Sequence, residues 1–184
     1  MPRRQPRPPT VFLMTDERMG EALWVALARL PRGGGVVFRH YALGQADRRV
    51  LFERVRRVTR RRGLRLLLAG SPRQAIAWKA DGVHGGAPGG RLPRPLIRTA
   101  AAHDRAEWVA ACRRGCDLIF VSPLFATRSH PGGRSLGAVR AGLLVGSDRD
   151  RAVLLGGMTR DRARSLCMAG FARWAGIDAW SEAR

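Results

Sequence analysis

Eight short runs rich in valine, leucine and isoleucine alternate with helix-period segments along the chain, and this alternation limits the fold more than any other feature. The runs cover residues 10–15, 35–41, 64–69, 81–84, 96–102, 117–122, 152–155 and 172–177. They lack polar alternation, which marks strands covered on both faces, and strands that alternate with helices pair in parallel. Eight such units predict an α/β fold, a compact (β/α)8 TIM barrel. Apolar residues at helical spacing support the intervening helices: Leu51, Val55 and Val58; Ala106, Val109 and Ala110; Ala163, Leu166 and Cys167. Two segments echo one another 36 residues apart, Lys79 to His84 and Gly115 to Phe120, each with an aspartate at a helix-to-strand junction. A doubly wound open sheet would want a glycine-rich turn after the first strand, where this chain has Thr15, Asp16 and Glu17.

The chain has 184 residues, whereas such barrels usually run to about 250. Residues 10–184 are expected to form one barrel domain behind a disordered, basic and proline-rich lead of residues 1–9. The eighth helix is expected to be truncated or missing, which leaves the apolar flanks of its neighbours open to homo-oligomer formation. No apolar run reaches the roughly 18 residues of a membrane span, and the N-terminus lacks the apolar core of a secretory signal. Cys112, Cys116 and Cys167 form no paired framework and are expected to be reduced, buried thiols in a cytoplasmic protein.

Net charge is +20, and of the 34 basic residues only Lys79 is not arginine. A surplus of this size is the footprint of a nucleic-acid binder when it gathers on one surface. Its densest run, Arg54 to Arg65, falls on the far side of a helix from Leu51, Val55 and Val58. That placement predicts a solvated outer face and disfavours nucleic acid as a partner.

Barrel active sites lie at the C-terminal ends of the strands. His40, His84, His103 and His130 all fall at or just beyond expected strand ends. Carboxylates and thiolates are sparse there, so a metal site is not expected. Gly156 and Gly157 follow the seventh run, where side-chain-free backbone amides can approach a phosphate, although a tight turn would need glycine anyway. The segment from Ser122 to Arg134 offers Thr127, Ser129, His130 and Arg128 as an anion-gripping loop, or alternatively an ordinary solvated one.

Several stretches in order resemble the thiamine-phosphate synthase and thiazole tautomerase family. They are Phe12-Leu13-Met14-Thr15-Asp16, Phe38-Arg39, Ala80-Asp81-Gly82-Val83-His84, Ala102-His103 with its acidic helix start, Val121 to Thr127, and Leu155-Gly156-Gly157-Met158-Thr159. The resemblance implies a (β/α)8 barrel that handles the phosphorylated thiazole half of thiamine. Its synthase branch joins a pyrimidine diphosphate to that thiazole with the help of Mg2+, yet Gly70 and Gly89 stand where the family has aspartates, and Ala101 replaces a serine. Its tautomerase branch moves a proton on the ring without a metal, using a histidine that His103 matches. An imidazole that ordinarily titrates near about pH 6.5 can both take and return a proton. The resemblance thus implies His103 as catalytic acid and base, Gly156 and Gly157 as phosphate binders, and Arg39, Thr127, Ser129 and His130 around the substrate. No cofactor is expected, Mg2+ entering only with the synthase alternative. A catalytically degenerate barrel that binds a phosphorylated metabolite is the third alternative. Asp178, in place of a serine, would repel a phosphate unless Arg173 or another cation offsets it.

Overall fold

The computed structural model describes residues 8–85, 96–127 and 135–180. Its elements are β1 (Val11–Met14), α1 (Ala22–Arg29), β2 (Gly35–Phe38), α2 (Gln45–Arg62), β3 (Arg65–Gly70), α3 (Pro72–Ala77), β4 (Gly82–Gly85), β5 (Ile97–Ala102), α4 (Arg105–Arg113), β6 (Leu118–Val121), α5 (Gly137–Val145), β7 (Ala152–Leu154), α6 (Arg160–Cys167) and β8 (Trp174–Gly176). Every strand pairs in parallel with its sequence neighbours, and β1 pairs with β8, so the sheet closes into an eight-stranded barrel. This is the (β/α)8 barrel that the alternation predicts, and the open-sheet alternative is excluded by the closure.

The barrel wall separates two apolar layers. Inside lie Phe12, Met14, Val37, Leu67, Leu118, Phe120 and Val153, while the opposite strand faces pack on the helices. Filling so small an interior requires missing side chains beside large ones. A Cβ on Gly35 would lie 2.2 Å from the Phe12 ring, and one on Gly82 would lie 2.4 Å from the Ile97 carbonyl oxygen. The 36-residue echo has a structural cause: Asp81 accepts the Leu66 N–H at 2.8 Å and Asp117 accepts the Arg98 N–H at 2.7 Å. Each carboxylate thereby extends the ladder below the first residues of the preceding strand, where a backbone donor would otherwise lack a partner.

Helix α2 puts its predicted face inward, with Val55 buried and Leu51 and Val58 half-buried against the core, and it also buries Phe52; Arg54, Arg57 and Arg61 are exposed. Helix α4 does not. Its buried residues are Trp108 and Ala111, with Cys112 half-buried, whereas Ala106 and Ala110 face solvent. The chain has apolar residues at helical spacing on both sides of α4, and the large indole takes the core because it removes more apolar surface from water. Only Cys116 is a fully buried thiol; Cys112 is half-buried and Cys167 exposed, contrary to the expectation of three buried thiols. Strand β2 stops at Phe38 rather than Tyr41, because His40 adopts a left-handed φ of 40° that ends the ladder. Beyond β8 a single 3-10 turn, Asp178–Trp180, stands where an eighth helix begins in a full barrel. The expected disordered lead lies mostly outside the described residues, as do residues 181–184. Among the described residues no helix is long and apolar enough to cross a membrane.

Replacing Gly35 with alanine is expected to lower stability by about 1–3 kcal/mol through overpacking against Phe12. A Phe12→Leu background should recover part of that loss, since the two sites are in contact. Urea denaturation of the two single variants and the double variant measures the coupling; additive losses would show that the close approach is not the cause.

Candidate active site at the strand ends

Where the parallel strands end, their carbonyls and the first residues of the following loops converge on one face of the barrel. Thr15, fully buried at the end of β1, ties that face to β2. Its hydroxyl accepts the Arg39 N–H at 3.0 Å and lies 3.0 Å from His40 Nδ1. Arg39 returns across the same seam, donating from Nε to the Thr15 carbonyl at 2.7 Å and from Nη2 to Asp16 at 3.1 Å. Asp16 also takes a two-point contact from Arg18 at 2.7 and 3.1 Å, and this guanidinium holds its carboxyl below the usual range. Arg39 is therefore braced within an Asp16-centred network.

The three described histidines of this face have different environments. His40 is only 5% exposed, stacks on Phe38 with ring centroids 4.8 Å apart, and burial lowers its pKa. His84 is 8% exposed and packs edge-on against Phe120 at 5.0 Å. The Thr99 hydroxyl donates to the Val83 carbonyl at 3.2 Å, so it accepts from His84 Nδ1 at 2.8 Å and assigns the hydrogen to that nitrogen. Burial, with Arg39 as a smaller contributor, pushes His84 down to about 4. His103, by contrast, is 58% exposed in its side chain and hydrogen-bonds through Nδ1 to Glu107 at 2.9 Å. Sequence position alone grouped these residues; burial separates two neutral packing histidines from one imidazole open to solvent.

Thr127, Gly156 and Gly157 do come together. With Thr159, Gly176 and Asp178 they line a cavity of about 380 Å3 over the ends of β7 and β8. The glycines have a packing reason as well, because a Cβ on Gly157 would lie 2.6 Å from the Ala126 carbonyl oxygen and its φ is +60°. The turn is locked to the loop after β6 by Leu124 N–H to the Leu155 carbonyl, 2.8 Å, and Phe125 N–H to the Gly156 carbonyl, 3.1 Å. Arg162 caps the Gly157 carbonyl and stacks over Phe125 at 4.6 Å, placing a cation beside the cavity. Asp178 at its rim acts electrostatically on Arg18, whereas Arg173 turns away to the Asp150 carbonyl. Arg39 and His103 stand on other strand ends and do not line this cavity. Ser129 and His130 lie outside the described residues.

The carboxylate chemistry that would hold Mg2+ is missing at the end of β3. A Cβ on Gly70 would meet the Gln74 side-chain oxygen at 2.7 Å, so a neutral amide from α3 occupies the place of a carboxylate. Among the described residues no three His, Cys, Asp or Glu side chains gather closely enough to hold a metal ion. Gly89, the other position where the resemblance places an aspartate, lies outside the described residues.

Besides Gln74, two residues of this face were not singled out in the sequence. Arg48, buried on α2, donates to the Arg39 carbonyl at 3.0 and 2.7 Å and to the Ala69 carbonyl at 2.7 Å, holding the ends of β2 and β3 together. Glu107 is the carboxylate that meets His103, and its spacing of four residues was the available signal. The depressed pKa of His84 has a measurable consequence. Its stabilising contribution is complete above about pH 6.5, the unfolded value, and is lost as pH falls towards about 4, the folded value. The loss should approach about 3 kcal/mol. Urea midpoints between these pH values should fall more steeply for the native chain than for His84→Gln; parallel profiles would contradict a buried neutral His84.

A family model described as thiamine monophosphate synthase matches residues 11–180. Thiamine-phosphate synthase of Chloroflexus aurantiacus is 30% identical over 155 residues, covering 74% of this chain and 68% of the relative. The enzyme of the same name from Methanoregula boonei is 28% identical over 177 residues, covering 87% and 80%. Among solved structures, thiamine phosphate pyrophosphorylase from Pyrococcus furiosus superposes with a TM-score of 0.73 at 22% identity, covering 95% of this chain and 88% of the other. The Bacteroides thetaiotaomicron protein of that name gives 0.59 at 14% identity, covering 92% and 83%. With its closed eight-stranded barrel and this match along nearly its whole length, the chain belongs to the thiamine monophosphate synthase family.

Proposed function

We propose that this member of the family acts on a phosphorylated thiazole of thiamine biosynthesis by metal-free proton transfer, as a thiazole tautomerase does. The observation that carries this reading is His103. Among the described histidines it alone is open to solvent, and its Nδ1 is tied to a carboxylate, which leaves Nε2 to take a proton from the ring and return it at another position. The cavity at Gly156, Gly157 and Thr127 would receive the phosphate through backbone amides, with Arg162 supplying positive charge beside it. Ser129 and His130 complete the proposed binding set, with Arg39 facing the substrate from β2. Asp178 disfavours an anion at the cavity rim, and the neighbouring Arg18 offsets it. Gln74 beside Gly70 supports a reaction that does not depend on Mg2+.

The names of the two relatives favour a second reading, synthesis of thiamine phosphate from hydroxymethylpyrimidine diphosphate and thiazole phosphate. In that reading Mg2+ would neutralise the departing pyrophosphate.

Incubation of the purified protein with the unrearranged thiazole phosphate carboxylate should give the rearranged isomer. His103→Ala should lower that rate by about 100-fold to 10,000-fold; an unchanged rate sinks the acid–base assignment. Growth of a synthase-deficient strain on the native gene would decide for the second reading. Binding of thiazole phosphate without turnover in either assay would indicate a degenerate, ligand-binding barrel.

A further inference from the structure

We infer that Glu107 is the positioning residue that fixes the tautomer and orientation of His103, an inference that rests on the proposed acid–base role of that histidine. Glu107 occupies the third position of α4, whose N-cap is Asp104, and Asp104 Oδ1 accepts the Glu107 N–H at 2.8 Å. In an ordinary capping box the acid at this position reaches back to the N–H of the N-cap itself. Here it reaches one residue further. Oε2 accepts the backbone N–H of His103 at 2.7 Å and lies 2.9 Å from Nδ1 of the same residue. One carboxylate oxygen therefore grips the main chain and the ring of His103 together, which restricts the rotation of an otherwise exposed side chain.

The chemistry of the contact assigns the hydrogen. Those bonds, the backbone one first, hold the Glu107 carboxyl below its usual range, so it is ionised near neutral pH. An ionised carboxylate only accepts, and the ring nitrogen facing it must carry the proton. Neutral His103 is thereby held with hydrogen on Nδ1 and the lone pair on Nε2. A proton accepted at Nε2 produces an imidazolium that the adjacent carboxylate stabilises, and the same proton leaves from Nε2 when the imidazole is restored. Asp104 supplies the helix cap independently, so capping and positioning can be separated by mutation.

Long-range 1H–15N spectra of the 15N-labelled full chain, recorded where His103 is neutral, read the tautomer without reference to turnover. The native protein should show Nδ1–H with an unprotonated Nε2. Glu107→Leu should shift the ring towards Nε2–H and lower kcat by about tenfold to a hundredfold with little change in KM. Glu107→Gln, whose amide oxygen can still accept both bonds, should keep the native tautomer and recover part of the rate. Asp104→Ala, which removes the cap alone, should lower the melting temperature and leave the tautomer unchanged. A folded Glu107→Leu protein with the native tautomer overturns the inference, as does a tautomer that changes equally in Asp104→Ala. A tautomer shift in Glu107→Leu alongside a His103→Ala variant of undiminished turnover overturns the acid–base role while upholding the positioning contact.

Discussion

Closure of the sheet between β8 and β1 is the constraint on which the remainder of the molecule depends. Strand β8 is three residues long and shares three register positions with β1 but only one with β7, so β1 carries most of its pairing. Trp180 reinforces the seam from outside. Its indole N–H donates to the Phe12 carbonyl at 3.0 Å, its ring stacks on Trp174 at 4.9 Å, and Arg160 lies over it at 5.4 Å. A single buried indole therefore covers this stretch of the wall. The cavity at Gly156 and Gly157 takes its other side from Gly176 and Asp178, and without the seam these two halves would have no fixed separation.

The arginine surplus divides into two populations with different physics. Arg54, Arg57 and Arg61 are exposed on α2, where charge costs little, and Arg54 also lies over the Trp24 ring at 4.8 Å. Arg48 is buried without a carboxylate in its hydrogen-bond set. Main-chain carbonyls of β2 and the end of β3 take its donors, and the rings of Phe38, Tyr41 and Trp78 lie 5.5–5.8 Å from its guanidinium. Strand ends supply such acceptors because the carbonyls there have run out of ladder partners. Arg39 is held by the Thr15 carbonyl and by the Asp16 carboxylate, so the cationic groups near the proposed site are structural braces first, and the field of Arg39 reaches His84 as a consequence.

All eight strands were legible in the chain because burial on both faces requires uninterrupted apolar runs, a signal independent of context. Helix faces were less legible where alanine and arginine dominate. Ala106, Val109 and Ala110 satisfy helical spacing as well as Trp108, Ala111 and Cys112 do, and only packing buries Trp108 and Ala111, keeps Val109 and Cys112 half-buried against the core and leaves Ala106 and Ala110 exposed. The histidines illustrate the same limit. Chain position puts His40, His84 and His103 at strand ends, but which of these rings is buried is set by the residues packed around it. Glu107 and Gln74 become meaningful only when a helix turn brings them back over a strand end, beside His103 and Gly70.

Taken alone, the amino-acid order determined the number of strands, their parallel pairing, the barrel class and the family, since these follow from periodicity and from short motifs read in sequence. Tertiary structure decided which imidazole meets solvent, which arginines are braces, and how Gly156 and Gly157 join Asp178 and Thr127 around one cavity. The division has a physical reason. Periodicity reports how each segment meets water, a local property, whereas protonation, tautomer and cavity shape are set by atoms that closure brings together from opposite ends of the chain.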